Sequence, residues 1–321
     1  MKVLITGGGG FLGQKLARAL ARRGQLRGQE ISTLVLADLV APAPVDAGFP
    51  VECRACDITV RDQMDALMAT RPDVIYHLAA VVSAHAEAEF DTGMAVNLMG
   101  SLNLFEAARA MGNCPVLVFA SSLAVYGGEV PEPLPDWVML NPQTSYGTQK
   151  AAAELLLTDF SRKGFLDGRG LRLPTITIRP GKPNKAASSF MSSIFREPLQ
   201  GQEAVCPVRP DFAHWYLSPR RCVENLIHGA EIEAAGLGTQ RCFALPGRTH
   251  TIGEMIEAMR RVAGDDPVSL IRWEEDPAVQ KIVYGWKARL DPAKALALGF
   301  KADQDFEDNL RYFLEDDIAR T

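Results

Sequence analysis

A glycine run set between a strand and a helix leaves a chain few folds to choose from. Residues Lys2 to Gly13 read KVLITGGGGFLG. Val3, Leu4 and Ile5 form a short apolar run that stops at Thr6, the pattern of a buried strand entering a turn. Gly7 to Gly10 follow, then Phe11, Leu12 and Gly13, then a helical pattern at Leu16, Ala19 and Leu20. At such a turn, bare backbone N–H groups and the positive end of the helix face outward together. They make an anion site, suited to a pyrophosphate, that a Cβ would obstruct. The glycines fit two registers, Gly8-x-Gly10-x-x-Gly13 and Gly7-x-x-Gly10-x-x-Gly13, and the flanking strand and helix are the context a dinucleotide site requires.

Downstream, strand-like and helix-like segments alternate. Arg22 to Glu30 reads as a polar connector, and ISTLVLAD as a second strand ending at Asp38. An acidic residue there can accept both ribose hydroxyls of an adenosine and would repel a 2′-phosphate. No Arg or Lys follows Asp38 directly, which favours NAD over NADP. Its spacing from the glycines exceeds the usual ~20 residues, and the connector accounts for the excess. Val51 to Thr59 reads as a third strand, with Asp57 and Ile58 placed to flank the adenine. DVIYHLAA gives a fourth, and the small Ala79 and Ala80 after Leu78 let a cofactor lie close to the backbone. His77, among apolar neighbours and with no metal partner spaced to join it, reads as a satisfied strand histidine. Met94 to Met111 follows as a helix carrying Asn97, and CPVLVFASS as a fifth strand. This order predicts an α/β fold with a doubly wound parallel sheet, its ligand at the carboxyl ends of the strands.

Composition narrows the function classes. The 321 residues suffice for one large or two modest domains, and 47% hydrophobic with 23% charged residues is ordinary for a globular protein. A formal charge of −5 and no basic run longer than two residues argue against nucleic acid and anionic membrane as partners. A core strand that begins at Lys2 leaves no room for a signal peptide, and no apolar stretch reaches spanning length. A cytoplasmic protein is expected. Cys53 and Cys56 form a CxxC, but no second pair completes a zinc site, so no metal is expected.

Three residues carry the chemistry. Ser122 follows the fifth strand, and Tyr146 and Lys150 sit in SYGTQKAAAELLL. Tyrosine and lysine four apart share one helix face. A free tyrosine ionises near pH 10, too high for a base at neutral pH. A neighbouring ammonium and the positive nicotinamide ring of NAD would both favour the phenolate. Ser122 can hold the substrate oxygen, Tyr146 can take the alcohol proton, and hydride then passes to the cofactor. None of the other tyrosines has a lysine four residues on.

TGGGGFLG, Asp38, HLAA, SSLAVYG (Ser121 to Gly127), Tyr146-Gly147-x-x-Lys150 and Ile178-Arg179-Pro180 together resemble the extended short-chain dehydrogenase/reductases over nearly the whole chain. The resemblance implies a Rossmann domain over 1–180, with a segment near 217–245 packing back on it, and a smaller substrate domain over 181–321. It implies Ser122, Tyr146 and Lys150 as the catalytic set. Around the cofactor it places Gly7, Gly10, Phe11, Leu12, Gly13, Asp38, Asp57, Ile58, Leu78, Ala79 and Ala80, with Tyr146, Lys150 and Pro180. Asn97 would help hold the lysine through backbone and water. A homodimer built on the helices around Met94–Met111 and Tyr146–Ser161 is the family expectation.

Departures from the superfamily matter. Its dehydratases carry an Asp-Glu pair directly after the catalytic hydroxyl residue, where this chain has Leu123 and Ala124, which cannot transfer protons. Its nucleotide-sugar enzymes commonly carry Arg-Asp-Phe before a late strand. Here the sequence is Pro210-Asp211-Phe212, with Arg209 one place early. Arg179 to Phe190, Ala80-Val81-Val82-Ser83 and Ser218-Pro219-Arg220 are similar to a D-erythronate dehydrogenase group, which implies NAD-dependent oxidation of a four-carbon sugar acid at C2. Lys182, Lys185 and Arg220 can pair with a carboxylate, Arg220 first because its planar fork matches two oxygens. Ser83, Asn184 and Ser188 can bind hydroxyls. Further on, Thr251 and Glu254 read as a capping box opening an amphipathic helix. The alternatives are a nucleotide-sugar epimerase that retains NAD, and a non-catalytic NAD-binding protein.

Overall fold

Val3, Leu4 and Ile5 are fully buried in β1 (Lys2–Thr6), which lies inside a parallel sheet. On one side β1 pairs with β2 (Thr33–Asp38), and β2 with β3 (Val51–Ala55). On the other side it pairs with β4 (Val74–His77), followed outward by β5 (Val116–Ser122), β6 (Asp167–Leu173) and β7 (Cys242–Ala244). The strand order is therefore 3-2-1-4-5-6-7. The winding reverses between β1 and β4, and at that point the carboxyl ends of the strands open a crevice.

The computed structural model describes residues 1–181 and 187–318 and forms two compact units. The first contains the sheet and comprises Met1–Tyr126, Leu140–Leu173 and Val223–Ala244. The second comprises Gly127–Met139, Pro174–Cys222 and Leu245–Thr321. The boundary thus falls at Pro174, not after residue 180, and Gly127–Met139 joins the second unit. Its Leu134 pairs with Leu290 there.

Four helices of the first unit position the site: α1 (Phe11–Arg23), α2 (Arg61–Met68), α3 (Ser101–Met111) and α4 (Ser145–Arg162). Each turns an apolar stripe inward. Met64 and Leu67 of α2, Leu104 and Phe105 of α3, and Leu157 and Phe160 of α4 share one core with Leu4, Val35, Ile75, Leu117 and Phe119 of the strands. The helix expected over Met94–Met111 begins with a π-helical stretch, Met94–Gly100. Two local expectations are corrected. The polar connector contains a small hairpin, Gln25–Leu26 with Gln29–Glu30, because Arg27 and Gly28 both adopt positive φ (53° and 71°) and reverse the chain tightly. The third strand stops at Ala55, four residues short of Thr59, since Asp57 turns back to accept from the Thr59 N–H (2.9 Å) and hydroxyl (2.7 Å).

The second unit packs its own core of Phe195, Tyr216, Met255, Met259, Phe306 and Leu310. Strand Ala213–Leu217 lies between Thr175–Ile176 and Arg248–Thr251. Helices α5 (Phe190–Arg196), α7 (Ile252–Ala263) and α8 (Phe306–Phe313) belong to it, whereas α6 (Pro219–Glu231) begins in the second unit and ends in the first. The start of α7 is held by a reciprocal cap. Thr251 accepts from the Glu254 N–H (3.1 Å), and the Glu254 carboxylate accepts from the Thr251 N–H (2.8 Å). Thr251→Ala should lower the unfolding free energy by about 1 kcal/mol, measured by urea denaturation. An unchanged midpoint would show that α7 is held by packing alone.

Candidate active site

The cofactor side is built at the ends of β1, β2 and β4. Gly7 leaves β1 with φ +75°, and a Cβ on it would come within 2.7 Å of the Ala79 nitrogen. At Gly13 a Cβ would overlap the Gly7 carbonyl. These two positions select the Gly7-Gly10-Gly13 register, with the Gly10 N–H donating to the Gly7 carbonyl (3.1 Å) and Phe11 and Leu12 opening α1. No side chain caps the N-terminus of α1, so its first N–H groups remain for an anion. Asp38, at the end of β2, accepts from the Gly9 N–H (3.0 Å) and the Leu39 N–H (2.8 Å), which aims its carboxylate at the turn. Ile58 is buried after β3. Leu78 continues β4 through its N–H to the Thr6 carbonyl (3.0 Å), and Ala79 and Ala80 follow at the mouth of the crevice. The turn has no room for a Cβ and its helix end has no side-chain cap, so these residues fit a dinucleotide.

Asn97 is buried and brackets Val81, accepting from its N–H (2.9 Å) and donating to its carbonyl (3.2 Å), and it donates to Gln149 Oε1 as well (2.8 Å). It thereby fixes the segment beyond Ala80. Ser83 opens the short helix Ser83–Ala88 that follows. His77 is satisfied on both ring nitrogens, by Thr6 Oγ1 (2.7 Å) and Ser101 Oγ (3.0 Å), and burial pushes its pKa down to about 3. It is therefore neutral at physiological pH.

The chemical side is built where α4 meets β5. Thr144 caps α4 by accepting from the Gly147 N–H (3.1 Å), which puts Tyr146 in the first turn. Gly147 lies so close to the Ala124 carbonyl that any Cβ would clash, so the helix approaches the Ser122 loop at backbone distance. Lys150 is 1% exposed, and its ammonium donates to the Ala120 carbonyl (2.8 Å). Its Nζ stands 4.7 Å from the Phe119 ring centroid and 5.8 Å from that of Tyr146. The Ser122 hydroxyl accepts from the Ala124 N–H (3.1 Å) and neighbours the Tyr146 phenol. Burial pushes Tyr146 up to about 12, partly offset by that hydroxyl. Burial pushes Lys150 down to about 8, opposed by the Glu154 carboxylate.

A bound nicotinamide cofactor would supply the hydride acceptor and a positive charge. The residues do the rest. Ser122 can orient an alcohol oxygen, Tyr146 can take its proton, and the Lys150 ammonium would favour the phenolate so formed. The site thus handles a proton and leaves a hydride to be accepted.

The remaining sequence-derived site residues lie in the second unit. Lys182, Asn184 and Lys185 lie outside the described residues. Pro180 follows Arg179, and Ser188 receives the Arg179 guanidinium on its carbonyl (3.3 Å) and hydroxyl (3.5 Å). Arg220 is not the open fork expected from sequence. It donates to Glu315 (2.8 Å) and to both oxygens of Asp316 (3.1 and 2.8 Å) and stacks on Tyr312. Two carboxylates already satisfy it, so in this structure Arg220 stands in an ion pair. Arg209 is likewise closed on Asp211 by a bidentate pair (3.0 and 2.6 Å). Sequence reasoning passed over Arg179, which has no carboxylate partner among the described residues. Burial and the neighbouring Arg196 push its pKa down to about 10. Its signal in the sequence is its place at the head of a segment rich in cations and free of acids, Arg179 to Phe190. Among the described residues no group of His, Cys, Asp or Glu is gathered to hold a metal, and no helix is long and apolar enough to cross a membrane.

Residues 3–214 match the model of the NAD dependent epimerase/dehydratase family. Two curated relatives cover nearly the full length. A D-erythronate dehydrogenase of Cupriavidus necator is 49% identical over 98% of both chains, and one of Haemophilus influenzae is 43% identical over 99% of this chain and 100% of the other. A solved structure described as a nucleoside-diphosphate-sugar epimerase from Agrobacterium tumefaciens superposes with a TM-score of 0.96 at 46% identity, over 100% of this chain and 95% of that one. The chain belongs to the NAD-dependent epimerase/dehydratase family. It is an oxidoreductase that uses a nicotinamide cofactor.

Tyr146→Phe keeps the ring and removes the base. Turnover should fall by about 10²–10⁴ with cofactor affinity little changed, as read by steady-state kinetics beside cofactor titration. Near-normal turnover would remove Tyr146 from the proton transfer.

Proposed function

We propose that the protein oxidises D-erythronate to 2-dehydro-D-erythronate with NAD. The observation that carries this reading is the near full-length likeness to two D-erythronate dehydrogenases in a chain that keeps Ser122, Tyr146 and Lys150 together. Dehydration is disfavoured because Leu123 and Ala124 stand where an elimination needs acid and base. A closed Arg209–Asp211 pair offers a nucleotide diphosphate no free guanidinium at that place. Asp38 supports NAD over NADP, since Leu39 and Val40 follow it and bring no cation to a 2′-phosphate.

The substrate carboxylate needs a cation, because a four-carbon acid has few atoms with which to gain affinity. We assign that contact to Arg179, in place of Arg220. Among the described residues this half-buried guanidinium faces only hydroxyl and carbonyl oxygens, and a carboxylate would supply the negative charge they lack. Ser188, beside it, is suited to a substrate hydroxyl, as are Ser83 and Asn184, and Lys182 is a second cation of the same segment. A homodimer is supported by apolar side chains exposed along the expected helices, Met99 at 48% and Leu155 at 69%. Six free cysteines suit the reducing cytoplasm.

The test sets D-erythronate and other four-carbon sugar acids beside UDP-glucose and UDP-galactose, with NAD. NADH should form at steady state from D-erythronate. Arg179→Met should raise KM about ten- to hundredfold, as expected for the loss of ~1.5–3 kcal/mol of charged hydrogen bonding, and more for the acid than for its lactone. Arg220→Ala should leave KM nearly unchanged. Interconversion of the UDP-sugars with no NADH from any acid would replace this reading by the epimerase.

A further inference from the structure

Behind the catalytic serine lies a buried ion pair that the proton-transfer chemistry does not itself use. Glu154 and Arg172 are 2% and 4% exposed. The Arg172 fork donates to both Glu154 oxygens, Nε to Oε1 (3.0 Å) and Nη2 to Oε2 (2.8 Å). Arg172 is the cross-strand partner of Ser121 on β5, so the pair sits directly under the strand end that carries Ser122. Each partner has one further bond. The Ser121 hydroxyl donates to Glu154 Oε1 (2.5 Å), and Arg172 Nη1 donates to the Tyr126 hydroxyl (2.5 Å). The turn Leu123–Val125 lies between those two anchors. The loop that presents Ser122 is thus tied at both ends to one ion pair.

The same helix also holds the strand one turn earlier, through Lys150 on the Ala120 carbonyl. Ala120, Ser121 and Tyr126 are therefore fixed by three side chains, and Ser122 has little freedom to drift from Tyr146. Stability alone does not require this arrangement. A buried ion pair is often matched or bettered by apolar residues of similar volume, and Leu157, Ala153 and Leu171 nearby show that apolar packing is available. What an apolar pair could not supply is the tie to two hydroxyls and a negative charge beside a buried ammonium.

We propose that Glu154 and Arg172 are positioning residues of the reaction, clamping the Ser122 loop at both ends and placing a carboxylate beside Lys150. This rests on the reading of the protein as an NAD-dependent alcohol dehydrogenase. The ionisable groups around Lys150 are Tyr146 and Glu154 on α4 and His77 on β4, with Arg172 on β6 beyond Glu154. The stretches Met94–Gly100 and Leu123–Val125 carry none. Glu87, on the helix Ser83–Ala88, is bound to the Ser145 N–H (2.8 Å) at the far start of α4. His77 is neutral, so Glu154 is the counter-charge of Lys150. Its removal lets Lys150 lose its proton at lower pH.

Two variants separate the parts. Glu154→Gln with Arg172→Met removes both charges of the pair at once and nearly keeps the volume, and Lys150, left without its counter-charge, can shed its proton, so the protein should fold with nearly unchanged thermal stability. Its kcat with D-erythronate and NAD should fall about ten- to hundredfold, the scale of a small misplacement of reacting groups. The limb of the pH profile that reports Lys150 should move to lower pH. Tyr126→Phe cuts only one tie, and should lower kcat several-fold with the limbs unmoved and KM for NAD unchanged. Hydrogen–deuterium exchange of residues 121–126 should rise in both variants while the rest of the sheet keeps its protection. A folded double variant with wild-type kcat and limbs would overturn the proposal, as would unchanged exchange of the loop in both variants. If the wild-type enzyme forms no NADH from any sugar acid, the functional reading fails, and the exchange experiment, which needs no substrate, still decides the clamp.

Discussion

Lys150 is an ammonium held almost wholly out of water, and the arrangement of the site follows from how that charge is tolerated. A carbonyl, an aromatic face and a carboxylate surround it, from Ala120, Phe119 and Glu154. They can do so only if α4 lies directly against the end of β5. Gly147 permits that contact by placing no Cβ against the Ala124 carbonyl. Once the helix is seated there, the direction of Tyr146 from its first turn and its distance from Ser122 are fixed together. Burial disfavours the charged form of both side chains, pushing Tyr146 up to about 12 and Lys150 down to about 8. The charged pair is then stabilised most when further positive charge stands beside the phenol.

The two halves of the site come from one sheet. The strand order reverses between β1 and β4, so the glycine turn and Asp38 on one side of that reversal, and Ala79–Ala80 on the other, all open at the carboxyl ends of the strands. β5 continues from β4 and carries Ser122 at its own carboxyl end. A cofactor lying along these strand ends therefore needs no separate platform to meet the serine and tyrosine. Close backbone approach recurs, at Gly7 against Ala79 and at Gly147 against Ala124, and in both places a Cβ is what the structure cannot admit.

The legible parts of the sequence were those whose geometry is local. A glycine turn between strand and helix, a tyrosine and lysine four apart, and Thr251 with Glu254 are each complete within a few residues. The seven-stranded parallel sheet follows from the alternation of such segments. Where the sequence misled, a distant partner decided. Arg220 looks like a free fork until Asp316, 96 residues further on, closes on it. Arg172 and Glu154 are 18 residues apart and meet only because β6 lies beside β5 under α4. The signal for Glu154 was present, a lone acid in the apolar run Ala151 to Leu157 one helical turn after Lys150, but nothing local named its partner. The unit boundary at Pro174 was invisible for the same reason, being set by which strands pair and not by composition.

The most direct measurement follows the hydride itself. D-erythronate carrying deuterium at C2 is incubated with the enzyme and NAD, and the nucleotide is recovered and weighed by mass spectrometry. Transfer from C2 predicts NADH heavier by a single deuterium, with the label gone from the oxidised acid. Unlabelled NADH, or label retained in an epimerised product with no net reduction of NAD, would contradict it.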